Sequence, residues 1–306
     1  MKKSIFSGSA VAIVTPFKGA GIHTPVDFAR LEQLIERQIE AGTDALVICG
    51  TTGEASAMPD ADHVAVVAAA VKTVAGRIPV IAGAGSNDTV HAIDLARMCE
   101  EAGADALLCV TPYYNKTSQA GLVEHFRIAA QATGLPVILY NVPSRTNLNI
   151  QPETYARLAE VPNIVGTKEC NLSQVAETRR LCGPDFLHYS GEDGLVLSMM
   201  ALGASGVISV VANLVPERVR DLTHAFLEGD IRRATELQIG LEPLVRACFS
   251  DVNPIPVKEG VKLMGLDAGP CRLPLVALSE PNRRRLAIEL DRLGLLADEF
   301  RDLVHD

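Results

Sequence analysis

With 306 residues, 48% hydrophobic and 21% charged, the chain can form one large domain or two small ones around a substantial core. Its net charge of −9 argues against nucleic acid as a partner, because holding phosphates requires a basic surface. Seven scattered cysteines (49, 99, 109, 170, 182, 248 and 271), never in CxxC spacing, exclude a disulfide framework and a zinc ribbon and fit a reducing cytoplasm.

The N-terminal Met1-Lys2-Lys3-Ser4 has no sustained apolar region after it. The apolar segment Ala10–Val14 is interrupted at once by Thr15-Pro16, too short for a signal peptide or a membrane span. The expectation is a soluble cytoplasmic protein with no membrane partner.

Short apolar runs then recur, with helical patterns between them. The predicted strands are Ala10–Val14, Ala45–Cys49, Pro79–Ala82, Ala106–Val110, Pro136–Tyr140, Ile164–Thr167, Phe186–Tyr189 and Gly206–Val210. Between the first two, Phe28, Leu31, Leu34, Ile35, Gln38 and Ile39 follow a helical period. Ala41-Gly42, Ala102-Gly103 and Leu202-Gly203 each place a glycine where a helix ends before the next strand. This alternation predicts an α/β fold, a closed parallel (β/α)8 TIM barrel over residues 1–230, with an open doubly wound sheet as the alternative.

The chain runs on past the eighth strand. Glu217–Leu227, Ile231–Cys248, Val257–Met264 and Arg283–Leu296 read as helices, more than a barrel requires. Residues 231–306 are therefore expected to form a C-terminal helical appendage packed on the barrel or on a partner subunit. The basic Arg283-Arg284-Arg285 lies among Leu286, Ile288, Leu290 and Leu293, as on the solvated edge of an amphipathic helix.

Chemistry in such a barrel gathers where strands run out into loops. The sixth strand leads to Lys168-Glu169. A buried lysine sheds its proton or finds a carboxylate, so Lys168 is either a Schiff-base nucleophile or a structural cation paired with Glu169. Thr51-Thr52 offers hydroxyls and backbone N–H groups to a small carboxylate at the start of the following helix, or simply caps that helix. Tyr113, Tyr114 and Tyr140 are core aromatics or acid–base groups. Arg145 is a surface residue or a forked grip for a carboxylate.

Two further motifs fail. Gly83-Ala84-Gly85 begins a dinucleotide fingerprint, but Asp88 stands where its third glycine belongs, so no nicotinamide cofactor is expected. Asp60, Asp62 and His63 sit where a helix begins and suit its dipole better than a metal, and none is assigned.

Six motifs then carry a resemblance over about Ser7 to Leu295. GTTGE at 50–54, VTPYYNK at 110–116, LYNVPSRTN at 139–147, GTKE at 166–169, GVISV at 206–210 and NPIPVK at 253–258 resemble the dihydrodipicolinate synthase family of pyruvate-dependent lyases. The resemblance implies condensation of pyruvate with L-aspartate 4-semialdehyde in the diaminopimelate route to lysine. Lys168 forms the Schiff base, and Tyr140 shuttles protons with Thr51 and Tyr114. Thr52 and the backbone of Ile208 hold the pyruvate carboxylate, while Arg145 positions Tyr140 and receives the semialdehyde carboxylate. It implies a homotetramer in which Tyr114 reaches a neighbouring subunit, and no cofactor.

Two departures stand out. The family continues its lysine motif with Ala-Thr-Gly, whereas this chain has Cys170-Asn171-Leu172 in a loop two residues shorter, implying a different pocket wall. At the family's lysine-inhibition site, matched here by Ala55, Ser56, Asp60, His63, Asn87, His91 and Tyr113, His91 replaces the usual glutamate. An imidazole cannot serve as the counter-ion of an ammonium, so weak or absent feedback is expected. Two other readings are a sister lyase acting on a sugar acid or hydroxy-oxo acid, and a barrel that has lost catalysis. Thr51 and Arg145 argue against a sialic acid lyase. The intact set of Lys168, Tyr140, Tyr114, Thr51 and Arg145 argues against the inactive barrel.

Overall fold

The computed structural model describes residues 5–19, 22 and 24–305, so the reading of Met1 to Ser4 lies outside the described residues. Eight parallel strands close into a barrel in chain order: β1 Gly8–Ala12, β2 Ala45–Ile48, β3 Val80–Gly83, β4 Ala106–Val110, β5 Val137–Asn141, β6 Ile164–Glu169, β7 Leu187–Ser190 and β8 Gly206–Ser209. Ladder pairing of β1 with β8 completes the ring. An open sheet is excluded by that closure.

The two-residue period of each strand sorts its side chains. Ala10, Ala12, Ala45, Val47, Ile81, Ala106, Leu108, Ile138 and Ile208 fill the barrel interior. Their neighbours, such as Val11, Leu46, Ile48, Leu107 and Leu139, face outward and pack under the helices. Gly42, Gly103 and Gly203, with φ between 80° and 92°, end their helices in the left-handed conformation that glycine adopts without strain.

Local chemistry moves several boundaries. The seventh strand starts at Leu187, one residue later than expected, with Phe186 packed in the helix layer just before it. The helix expected at Val257–Met264 is Ile255–Leu263, and that expected at Arg283–Leu296 is Glu280–Arg292. Each has a proline in its first turn, where no N–H is needed. The Pro-Ser-Arg-Thr loop is a short helix, Pro143–Thr146, for the same reason.

Helix Ile231–Cys248 lies along Pro216–Leu227, and Glu280–Arg292 packs on both Ile231–Cys248 and Ile255–Leu263. Leu241, Leu244, Val257, Val261, Leu286 and Leu290 join the same core as the barrel helices. Each such side chain contributes about 1.5–3 kcal/mol of apolar burial. Among the described residues, no helix is long and apolar enough to cross a membrane.

Candidate active site

The C-terminal rim of the barrel brings the candidate residues together by register. Lys168 on β6 pairs directly with Tyr140 on β5 and with Tyr189 on β7. Paired positions share a face, so Lys168 and Tyr140 both point inward. The Lys168 ammonium nitrogen, Nζ, lies 4.5 Å from the centre of the Tyr140 ring, and the residue is only 5% exposed. Burial pushes its pKa below the ordinary lysine value, against the pull of Cys170, Asp193 and Glu192.

Glu169 is not its partner. Adjacent strand residues point to opposite faces, and Glu169 faces outward. Its carboxylate accepts from Asn141 Nδ2 (2.9 Å), Tyr155 Oη (3.0 Å), Gln174 Nε2 (2.8 Å) and Asn171 N (2.7 Å). Those donors tie β5, β6 and the following loop into one frame. The structural ion pair is therefore excluded, and among the described residues Lys168 forms no salt bridge.

Tyr140 is 7% exposed and lies beside Thr51. Burial raises its phenol well above the ordinary tyrosine value, while Arg145 and Thr51 draw it back down. Thr51, Tyr140 and Arg145 line one cleft of about 380 Å³. Ile208 is fully buried on β8, inside the barrel. Tyr114 is not brought to this cluster within its own chain: it stands 93% exposed, at a left-handed φ of 68°.

The Gly50–Glu54 turn differs from its expected form. Thr51 and Thr52 do not cap a long helix: Glu54 precedes a 3-10 turn at Ala55–Ala57, and the next long helix, Asp60–Val74, begins after Pro59. The turn is instead bounded by the left-handed residues Cys49 (φ 53°) and Glu54 (φ 59°), a conformation that costs a non-glycine residue about 1–3 kcal/mol. Distant segments hold it there. Thr15 Oγ1 donates to Gly53 O at 2.8 Å, and Asn253 Nδ2 donates to Thr52 Oγ1 at 2.9 Å. Lys258 Nζ pairs with Glu54 at 2.7 Å, both side chains at most 2% exposed. Lys258 Nζ also donates to the Thr15 and Pro270 carbonyls, at 2.9 and 2.8 Å.

Asp193 is a second residue that motif reading passed over. Buried at the end of β7, it accepts from Ser209 Oγ and from the Val210 and Val211 N–H groups, so it fixes the end of β8 next to Ile208. Cys170, the first departure from the family pattern, packs against the interior cluster near Glu192, and burial pushes its thiol pKa up. Gly191 makes room for it: a Cβ there would lie 2.4 Å from the Cys170 sulfur.

The fold and this cluster define a (β/α)8-barrel enzyme with a desolvated, strand-borne lysine at its C-terminal rim. The model of the dihydrodipicolinate synthetase family matches residues 5–293. A 4-hydroxy-tetrahydrodipicolinate synthase from Acetivibrio thermocellus is 51% identical over 296 residues, covering 97% of this chain and all of its own. The crystal structure of dihydrodipicolinate synthase from Aquifex aeolicus superposes with a TM-score of 0.92 at 44% identity, covering 96% of this chain and all of that one. A chloride-inhibited synthase from Acinetobacter baumannii, solved with pyruvate, gives 0.92 at 41% identity over 96% of this chain and all of its own. The chain belongs to the dihydrodipicolinate synthetase family and is a lyase.

Proposed function

We propose that the chain condenses pyruvate with L-aspartate 4-semialdehyde to give 4-hydroxy-tetrahydrodipicolinate, and that Lys168 carries the reaction. The observation behind this assignment is the inward, desolvated amine of Lys168 in register with Tyr140. Lys168 Nζ attacks C2 of pyruvate, and loss of water gives an imine. The imine accepts the C–H electron pair as C3 loses a proton, which passes through Tyr140, and the resulting enamine carbon adds to the aldehyde of the second substrate. The new alkoxide takes a proton through Tyr140, whose neighbour Thr51 begins a relay. The semialdehyde nitrogen then closes on C2 and expels the Lys168 amine.

Thr52 and the Ile208 backbone receive the pyruvate carboxylate, and Arg145 receives that of the aldehyde. Tyr114, held exposed at a strained backbone angle, completes the relay of a neighbouring subunit in a homotetramer. Residues 1–230 form the catalytic barrel, and 231–306 the helical region that pins its Gly50–Glu54 turn. The reaction calls for a cytoplasmic setting and no cofactor.

The test is pyruvate-dependent consumption of L-aspartate 4-semialdehyde, run beside sugar-acid and hydroxy-oxo-acid substrates. We expect strong preference for the semialdehyde, and a fall of about a hundredfold in kcat/KM for Arg145→Ala through loss of a charge-assisted, bidentate contact. Turnover only with another substrate would move the chain to a sister lyase.

Lysine feedback is expected to be weak. Ala55, Ser56, Asp60, His63, His91 and Tyr113 line the outer part of the same cleft. The one carboxylate among them, Asp60, is already held by His91 Nε2 at 3.0 Å, and His91 Nδ1 lies 3.0 Å from Ser86 Oγ. A lysine ammonium would therefore share the Asp60 carboxylate with His91 and gain no carboxylate from position 91. Initial rates with and without lysine should agree, and inhibition at sub-millimolar lysine would overturn this assignment.

A further inference from the structure

Before Lys168 can attack a carbonyl, its ammonium must give up a proton to a base. Tyr140 is a poor one. Burial holds its phenol far above neutrality, so it keeps its own proton and only passes others along. Three other acidic groups, Cys170, Asp193 and Glu192, act on the Lys168 charge, with Arg145 opposing them.

Two of the three are committed or inert. The Asp193 carboxylate accepts from Ser209 Oγ and from the Val210 and Val211 N–H groups. Burial pushes the Cys170 thiol up, so it stays an S–H. Glu192 lies beside that thiol and forms no ion pair among the described residues.

The position of Glu192 suits a proton carrier. It follows β7, where Ser190 Oγ donates to its carbonyl at 2.8 Å and accepts from its N–H at 3.2 Å. The residue before it, Gly191, sits against the catalytic lysine: a Cβ there would overlap the Cys170 sulfur and lie 3.2 Å from Lys168 Cε, the carbon that bears the amine. On its other side Glu192 lines a cleft of about 440 Å³ with Leu195, Glu242, Arg246 and Phe249. This cleft shares no lining residue with the one that holds Thr51, Tyr140 and Arg145. It opens to solvent beside the Arg246–Glu242 pair, whose side chains are 77% and 42% exposed. Burial also draws the Glu192 pKa up from the ordinary carboxylate value, which favours a group that both accepts and returns a proton.

We propose that Glu192 is the catalytic base of imine formation, taking a proton from the Lys168 ammonium and returning it to the departing hydroxyl. This rests on the function proposed above. Loss of the first proton frees the Nζ electron pair, which bonds to C2 of pyruvate as the C=O pair moves onto oxygen. A second N–H proton ends on that oxygen. The proton held by Glu192 then goes to the carbinolamine hydroxyl, the C–O bond breaks, and water leaves as the nitrogen pair closes the protonated imine. Glu192 is again a carboxylate, facing the new cation. Tyr140 and Thr51 are left to serve the carbon–carbon bond-forming steps.

The experiment measures the rate of imine formation with pyruvate alone, by rapid-quench borohydride trapping. In Glu192→Gln it is expected to fall about a hundredfold. A carboxylate acting only through its charge would give the opposite result, because its loss would lower the Lys168 pKa and raise the neutral fraction. In Glu192→Ala, formate entering from the outer cleft should restore the rate with saturation, and chloride at equal ionic strength should not. A rate in Glu192→Gln within about threefold of wild type, or above it, would overturn this proposal alone. So would a loss in Glu192→Ala that formate fails to restore. A wild-type protein that traps no pyruvate would overturn it together with the proposed function.

Discussion

Lys168→Met is expected to lower pyruvate-dependent turnover by at least about a thousandfold while the barrel stays folded. Methionine has similar length and no charge, and Lys168 faces the barrel interior without an ion pair among the described residues. Replacing a desolvated ammonium by an apolar chain of similar volume is neutral or stabilising in such a setting. Circular dichroism should therefore be unchanged while activity disappears. The wild-type pH dependence carries a matching sign. Only the neutral amine attacks, and its fraction rises with pH through its pKa. Burial lowers that pKa, so imine formation should reach half-maximum below the value of about 10.4 typical of a free lysine. Activity within tenfold of wild type in Lys168→Met would remove the Schiff base from the account.

Lys258→Met is expected to give the largest loss of stability, about 3–5 kcal/mol in chemical unfolding. Lys258 and Glu54 form a buried pair at 2.7 Å, with side-chain exposures of 2% and 0%. Removing the cation leaves the Glu54 carboxylate charged in the interior with one strong donor left, the Arg272 N–H at 2.7 Å. The Thr15 and Pro270 carbonyls lose a donor as well. Since Glu54 closes the turn that carries Thr51 and Thr52, the variant that does fold should also bind pyruvate less well. Lys258→Met combined with Glu54→Leu removes both charges and should recover part of the lost stability. A single variant within about 1 kcal/mol of wild type would contradict this account of the pair.

These two lysines show what could be read from sequence and what could not. Lys168 follows an apolar run and sits at a strand end, so strand period and fold class together locate it. The same period argues against the pairing with Glu169, because neighbours on a strand face apart. Lys258 and Asn253 carried a weaker signal. They belong to the NPIPVK motif, which served only for resemblance, and their partners Glu54 and Thr52 lie 204 and 201 residues away. Contacts across such distances are set by how the C-terminal helices pack on the barrel, and no local pattern encodes that. Asp193 was hidden for the same reason, since its three donors come from the next strand's end.

The Thr51-Thr52 expectation failed at a specific step. A strand followed by Gly-Thr-Thr-Gly was read as leading straight into a helix. Glu54 adopts a left-handed conformation, only a 3-10 turn at Ala55–Ala57 follows, and Pro59 delays the long helix until Asp60. The hydroxyls stay in place because Asn253 and Lys258 hold the turn from outside. Helix starts were likewise read late wherever proline occupies the first turn, as at Pro256 and Pro281.

Borohydride trapping of the wild-type protein with pyruvate, followed by peptide mapping, tests the central claim most directly. Among the described residues two lysines are buried, Lys168 and Lys258. Burial pushes the Lys258 pKa down as well, against the pull of Glu54, but its nitrogen is committed to a carboxylate and two carbonyls and is not presented to the barrel interior. The account predicts one pyruvate-derived adduct, on the peptide carrying Lys168. No adduct, or an adduct on any other lysine, would contradict it.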